Sequence, residues 1–278
     1  TKSFSTAETL TLAAVAKKWM GASFAERSFA VTAARAKAEQ WVKAEHILPM
    51  WPWVGGRFSV WSSAGIMGAI AIGADAFSAL LQGAAEMDEH FRSQPIANNM
   101  PVTMALYDFW HHNIQGYATR GIFVYDQRLL LVPAWLKQLE MESLGKQVQQ
   151  NGQPVEQQTV PMIVGGSGPD AQHAIYQALH QGTRPWPMEF VTVAQTIEQH
   201  PTLSRLQWAS MLAQAQALTH GNQSSSDSAQ HVPGQRPVIS WLLESLTPRH
   251  LGAWLAAYEH KVYTLSLIHI SEPTRPVM

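Results

Sequence analysis

The 278-residue sequence predicts an α/β fold, a parallel sheet covered by helices on both faces. Three observations carry that prediction. Short apolar runs with strand character alternate with helix-length segments. The helical segments open on capping or proline signals. The apolar runs close on glycine or polar turns.

Ser5-Thr6-Ala7-Glu8 has capping-box form, and Leu10, Ala13, Ala14 and Lys17 follow at helical spacing, so a first helix spans about 6–20. Segments 29–33 and 46–50 read as short strands with a helix, 34–43, between them. Gly55-Gly56-Arg57 interrupts the pattern. The apolar run 64–74 (AGIMGAIAIGA) reads as a short buried helix, because a membrane span needs about 20 apolar residues. Segments 75–91 and 101–112 read as helices.

Residues 121–124 (GIFV) form a compact strand, and Asp126 can cap a helix running to about 143, in which Pro133 predicts a kink or break. Residues 160–164 (VPMIV) form a buried strand ending in Gly165-Gly166-Ser167-Gly168. Pro169 suits the first turn of a helix carrying 171–180. A strand at 190–194, a helix at 203–218 and a polar loop at 221–235 follow. Thr247-Pro248, just after 240–245, opens a helix through Tyr258.

Composition narrows the function. Hydrophobic residues are 46% and charged residues 14%, as in an ordinary globular protein, and the length suits one large domain or two smaller ones. A net charge of −1 argues against a nucleic-acid binder that works by neutralising phosphates. The chain has no cysteine, which removes disulfides and thiolate metal sites and is compatible with the cytosol. No signal-peptide pattern is present, and the first residue is Thr rather than Met, which fits a start inside a longer protein.

Several groups are candidates for chemistry. Thr1, Lys2, Ser3, Ser5 and Thr6 crowd hydroxyls and an ammonium at a helix N-terminus, where amides and the macrodipole favour an anion; taken alone, an ordinary capped helix is the simpler explanation. Gly55 and Gly56 let backbone approach a ligand, and Arg57 suits developing negative charge, although a tight turn beside a surface arginine has the same pattern. Gln138 and Glu142 share a helix face, and Leu139 and Met141 suggest partial burial of a carboxylate that serves as a general base; a solvated glutamate is the bland alternative. His173 titrates near neutrality and suits acid–base work, or it is a capping or core histidine. The run 165–168 fits neither GxGxxG nor GxxxxGK[ST]. His111-His112 is a poor metal pair, because adjacent helical residues diverge and no carboxylate partner is evident.

Taken together these segments resemble glucose-6-phosphate isomerases. TKSFSTAET (1–9), VGGRFSVWSSAGI (54–66), QLEMESLGK (138–146), AQHAIYQALHQGT (171–183) and LAAYEHKVY (255–263) occur in that family's order and approximate spacing. The resemblance covers residues 1–263. It implies two sugar-isomerase (SIS) domains of three-layer α-β-α architecture: 1–70 as the C-terminal part of the smaller domain and 71–264 as most of the larger. It also implies a cytoplasmic, cofactor-free enzyme with no metal. Such an enzyme interconverts glucose 6-phosphate and fructose 6-phosphate through a cis-enediol(ate), in glycolysis and gluconeogenesis.

By resemblance Glu142 matches the base, Arg57 the residue that steadies the intermediate, and Gln138 a substrate-binding glutamine. Thr1, Lys2, Ser3 and Thr6 match the phosphate cradle. His173 matches the ring-opening histidine and Glu8 its acidic partner. In the family that histidine enters the pocket from the neighbouring subunit, which implies a homodimer.

Pro52, Leu144 and Pro169-Asp170-Ala171 depart from the family pattern. After YEHKVY the family continues into a WGVELGK-like segment whose lysine aids ring opening. Here residues 265–278 read instead as a non-native tail, with Pro273 and Pro276 opposing a packed helix, so the expectation is an inactive fragment. Two rivals differ in their needs. A non-catalytic sugar-phosphate-binding SIS module needs no base at Glu142, and a nucleotide-binding α/β protein would use 165–168.

Overall fold

The computed structural model describes residues 2–195 and 201–269. The chain divides into two compact units, with the boundary between Phe77 and Ser78. Sequence alone places that boundary near residue 70.

In the first unit, helix α1 (Ala7–Met20) precedes two short parallel strands, β1 (Ala30–Thr32) and β2 (Ile47–Pro49). The helix expected between the strands is a single turn, Arg35–Ala38. A small core of Phe24, Ala30, Ala38, Val42 and Ile47 sits under them, with Phe4 and Trp41 packed against it. The capping box does not form. Thr6 is the N-cap and its side chain makes no cap hydrogen bond, while the Ser5 hydroxyl bonds to that of Ser3 at 2.7 Å. The apolar run is helical, as α2 (Ile66–Ile72), but it is not buried: Met67 and Ile70 are 70% and 69% exposed. Apolar composition marked the helix without saying that anything covers it.

Helix α3 (Ala74–Ser93) carries the boundary between the units. The second unit continues with α4 (Met100–Phe109), β3 (Thr119–Val124), α5 (Val132–Leu144), β4 (Met162–Ser167), α6 (Tyr176–Gln181), β5 (Met188–Gln195), α7 (Pro201–His220), β6 (Val238–Ser245) and α8 (Pro248–Ile268). Its four strands are all parallel, in the order β4-β3-β5-β6. The central strands β3 and β5 are buried almost throughout, as expected where helices cover both faces. Edge strand β6 alternates instead.

The two faces follow the strand alternation. Phe123, Tyr125, Met188 and Phe190 pack with Tyr176, Leu179, Met211 and Leu218 of α6 and α7. The opposite face meets α4, α5 and α8, and α8 packs against both of the others. Helices α3 and α8 approach through glycine. A Cβ on Gly252 would lie 1.9 Å from the Leu80 carbonyl oxygen, and one on Gly83 would lie 1.8 Å from that of Arg249.

Local signals explain several boundaries. Asp126 caps a short 3-10 turn, Gln127–Leu129, and the chain breaks before α5, leaving Pro133 in that helix's first turn. Thr247 accepts a bond from the His250 amide at 3.2 Å, with Pro248 behind it. The helix expected over 171–180 is split into a turn at Gly168–Ala171 and α6. The expectation of no packed helix after residue 264 fails. Helix α8 runs on to Ile268, and Leu265 and Ser266 are buried. Residues 270–278 of the expected tail lie outside the described residues.

Candidate active site

In the first unit, the candidate phosphate cradle is held by backbone. The Lys2 carbonyl accepts from the Ala33 amide at 2.9 Å and the Thr32 hydroxyl at 2.8 Å, which ties the segment to the end of β1. Phe4 takes a φ of 47° and turns its ring onto Trp41, and that turn directs Ser3, Ser5 and Thr6 outward, all exposed. The Lys37 ammonium reaches the Ser3 carbonyl at 3.3 Å. The Lys37 ammonium, three hydroxyls and the first-turn amides of α1 therefore gather at one helix end, a combination that suits an oxyanion. Thr1, placed with this group by sequence, lies outside the described residues. Glu8 stands in the first turn of α1 and is exposed.

Arg57 lies in the 3-10 segment Gly56–Trp61, its guanidinium 5.2 Å from the Phe58 ring centre. Neither Gly55 nor Gly56 has a positive φ, and a Cβ on Gly56 would meet nothing within 4 Å. Gly56 thus leaves the backbone beside Arg57 open on one side. The indoles of Trp51 and Trp53 stack at 5.8 Å just before it.

In the second unit, α5 presents Gln138 and Glu142 together. The Gln138 amide donates to the Glu142 carboxylate at 3.1 Å, and Lys146 donates to the Glu142 carbonyl at 3.1 Å. Both side chains are exposed, so the expected partial burial of Glu142 is not found. Leu139 and Leu144 turn the other way, into the core.

His173 is exposed, in the break between the Gly168–Ala171 turn and α6, so it is neither a core nor a helix-capping histidine. Its neighbour Gln172 anchors the break by donating to Ser210 of α7 at 2.6 Å.

A small, open cleft lies at the C-terminal ends of β3 and β4, lined by Tyr125, Asp126, Gln127, Ser167 and Gln207 among others. None of the catalytic or substrate-binding residues expected from sequence lines it. Burial pushes the Asp126 carboxyl up, but its bonds to Arg128, at 2.6 to 2.9 Å, outweigh this and hold it below its ordinary value. Gly165 and Gly168 serve packing: a Cβ on Gly165 would strike the Ile122 carbonyl at 2.3 Å, and one on Gly168 the Tyr125 ring at 2.4 Å, while one on Gly166 would meet nothing within 4 Å. His111 and His112 each spend Nδ1 on a backbone carbonyl, of Tyr107 at 2.8 Å and Tyr117 at 2.9 Å. Among the described residues no group of three or more His, Cys, Asp or Glu side chains is placed to hold a metal ion.

One group escaped sequence reasoning entirely. Arg120 and Lys261 are buried with Asp108, Glu140 and Glu189, all at most 5% exposed. Arg120 pairs with Asp108, with Glu140 at 2.6 Å and with Glu189 at 3.2 Å. Lys261 lies 2.5 Å from Asp108 and 3.2 Å from Glu140. Tyr258 and Trp241 donate to Glu189 at 2.5 and 3.2 Å.

The phosphoglucose isomerase family profile matches residues 1–271. The chain belongs to the phosphoglucose isomerase family. A glucose-6-phosphate isomerase of Stenotrophomonas maltophilia R551-3 is 47% identical over 269 residues, 96% of this chain and 53% of that protein. One from Xanthomonas axonopodis pv. citri is 43% identical over the same shares. The crystal structure of a glucose-6-phosphate isomerase from Chlamydia trachomatis superposes with a TM-score of 0.90 at 30% identity, covering 98% of this chain and 55% of the other. The chain therefore spans about half the length of the phosphoglucose isomerases it matches. The SIS-type α/β fold expected from sequence is that of the matched isomerase structure. Among the described residues no helix is long and apolar enough to cross a membrane.

Proposed function

We propose that this chain forms part of an aldose–ketose isomerase acting on glucose 6-phosphate and fructose 6-phosphate. The observation that carries the proposal is the Gln138–Glu142 pair, a carboxylate steadied at 3.1 Å on the exposed face of a helix whose other face is buried. A binding module has no use for a base there. The curated relatives bearing the isomerase name support the same reaction.

In this reading Glu142 removes the C2 proton of the open-chain aldose and returns it to C1. The C1 aldehyde becomes a hydroxyl and the C2 hydroxyl a carbonyl, so no redox partner is consumed. Arg57 offsets charge on the enediolate oxygen, and Gln138 orients the carboxylate and the sugar. Lys2, Ser3 and Thr6, with Thr1, hold the phosphate. His173, paired with Glu8, opens the pyranose ring, contributed by a second copy in a cytoplasmic homodimer.

The test is isomerisation of fructose 6-phosphate by an active full-length protein carrying this sequence. Glu142→Gln is expected to abolish turnover and to leave sugar-phosphate binding within about twofold, since the amide keeps the shape and loses the base. Turnover retained in that variant removes Glu142 from the role, whereas sugar-phosphate binding without turnover in the unsubstituted protein favours a non-catalytic sugar-phosphate module.

A further inference from the structure

We infer that Glu140 is a positioning residue: its buried ion pairs set the rotation of α5 and so the direction in which Glu142 points. The inference rests on the isomerase reading of Glu142, but its geometry stands apart from that reading.

Glu140 lies two residues from both Gln138 and Glu142. At about 100° per residue it therefore projects from the opposite side of the helix. That side faces the buried charges. Its Oε1 accepts from Arg120 of β3 at 2.6 Å and from Lys261 of α8 at 3.2 Å, and the residue is 1% exposed. One oxygen of α5 is thus fixed to the central sheet and to a neighbouring helix at once.

Leu136, Leu139 and Leu144 also hold α5 to the core. Apolar contact is non-directional, so a small rotation of the helix costs it little. Charge-assisted hydrogen bonds are short and angular, and the same rotation breaks them. A carboxylate about 5–6 Å from the helix axis sweeps about 1 Å for a rotation of about 10°. A misplacement of about 1 Å is enough to lower a turnover rate by about 100-fold. Lys261 belongs to the 255–263 block and Glu140 to the 138–146 block, so the two sequence blocks meet in the core.

The absence of cysteine allows unique labelling. Nitroxides are attached through Glu142→Cys and Ser240→Cys, the second on β6 of the same sheet, and their separation is measured by pulsed dipolar EPR in the 278-residue chain. A Gln177→Cys and Ser240→Cys pair is the control. In the Glu140→Gln background the 142–240 distribution is expected to shift or broaden by about 1 Å or more, with the control pair unchanged. An unchanged 142–240 distribution overturns the inference. Should Glu140→Gln fail to fold, Lys261→Gln removes the facing donor and is read by the same criterion.

In an active full-length protein Glu140→Gln is expected to lower kcat about 10- to 100-fold with KM within twofold, because remote misplacement acts on the chemical step. An unchanged kcat, alongside an inactive Glu142→Gln, sinks the positioning role alone. Turnover retained in Glu142→Gln sinks the functional reading and leaves the distance measurement to decide the geometry.

Discussion

Replacing Lys261 by Met is the sharpest test of what holds the larger unit together. Its ammonium is 1% exposed and faces three carboxylates, of Asp108 at 2.5 Å, Glu140 at 3.2 Å and Glu189 at 3.9 Å. Two cations face three carboxylates, so the cluster carries one net negative charge, and without Lys261 it carries two. Met matches the length of the lysine stem, so little apolar packing changes. What remains is the loss of one partner from a buried ion cluster, about 3–5 kcal/mol. For a unit of this size that is a fall in Tm of roughly 6–20 °C, at about 2–4 °C per kcal/mol. Urea unfolding followed by tryptophan fluorescence measures it in the 278-residue chain. The deficit should narrow as pH falls, because a carboxylate deprived of Lys261 takes up a proton and relieves the repulsion. Adding Asp108→Asn should recover part of the loss by restoring the charge balance. A loss below about 1 kcal/mol, the scale of an exposed pair, would refute the view that these charges act as a buried unit.

Other outcomes follow from separate features. Gly252→Ala should cost about 1–3 kcal/mol in urea unfolding, because the added methyl would meet the Leu80 carbonyl. Tyr176→Phe should cost about 1 kcal/mol, since its hydroxyl meets that of Tyr125 at 2.6 Å in the core, where burial pushes both phenols up. For Asp108, burial raises the carboxyl, but Arg120 and Lys261 outweigh it and hold it below its ordinary value. Its contribution to stability is therefore complete above the unfolded pKa of about 3.9 and is lost as pH falls through the lower folded value; an acid titration of unfolding should show this, and Asp108→Asn should flatten it. Lys2→Ala with Thr6→Ala should weaken inorganic phosphate binding, read by calorimetry at low salt, where charge is least screened.

The second unit was legible because its strands are continuous apolar runs and its helices begin on Asp, Thr and Pro. The strands there fall within a few residues of expectation, the helices less closely at the starts of α5 and α6 and the end of α8, and the Gln138–Glu142 pair shares a face as its spacing requires. The charge cluster was not legible, for a specific reason. Strands read as 121–124 and 190–194 start one residue after Arg120 and Glu189, which leaves both as ordinary flanking charges. Pairing places them inside β3 and β5, opposite Ile163 and Ile239. A charge within a strand buried on both faces must be paired, so the signal was there once the strand was extended by one residue. The partners on α4, α5 and α8 are distant in sequence, and no local pattern links them. At α1 the capping box failed because the helix begins after Thr6, which takes Ser5 out of the cap position. The exposure of α2 has no signature in a run of apolar residues, since burial belongs to the surroundings and not to the segment.

The glycine crossing of α3 and α8 constrains how this sequence can drift. At Gly252 and Gly83 the obstacle to a side chain is a carbonyl oxygen of the facing helix. A clash with a side chain can be relieved by trimming that side chain elsewhere in the gene. A clash with main chain has no such second-site suppressor, because every amino acid brings the same carbonyl. A screen for revertants of Gly252→Ala should therefore return glycine itself, or changes that loosen the seating of a whole helix, and no compensating exchange at Leu80.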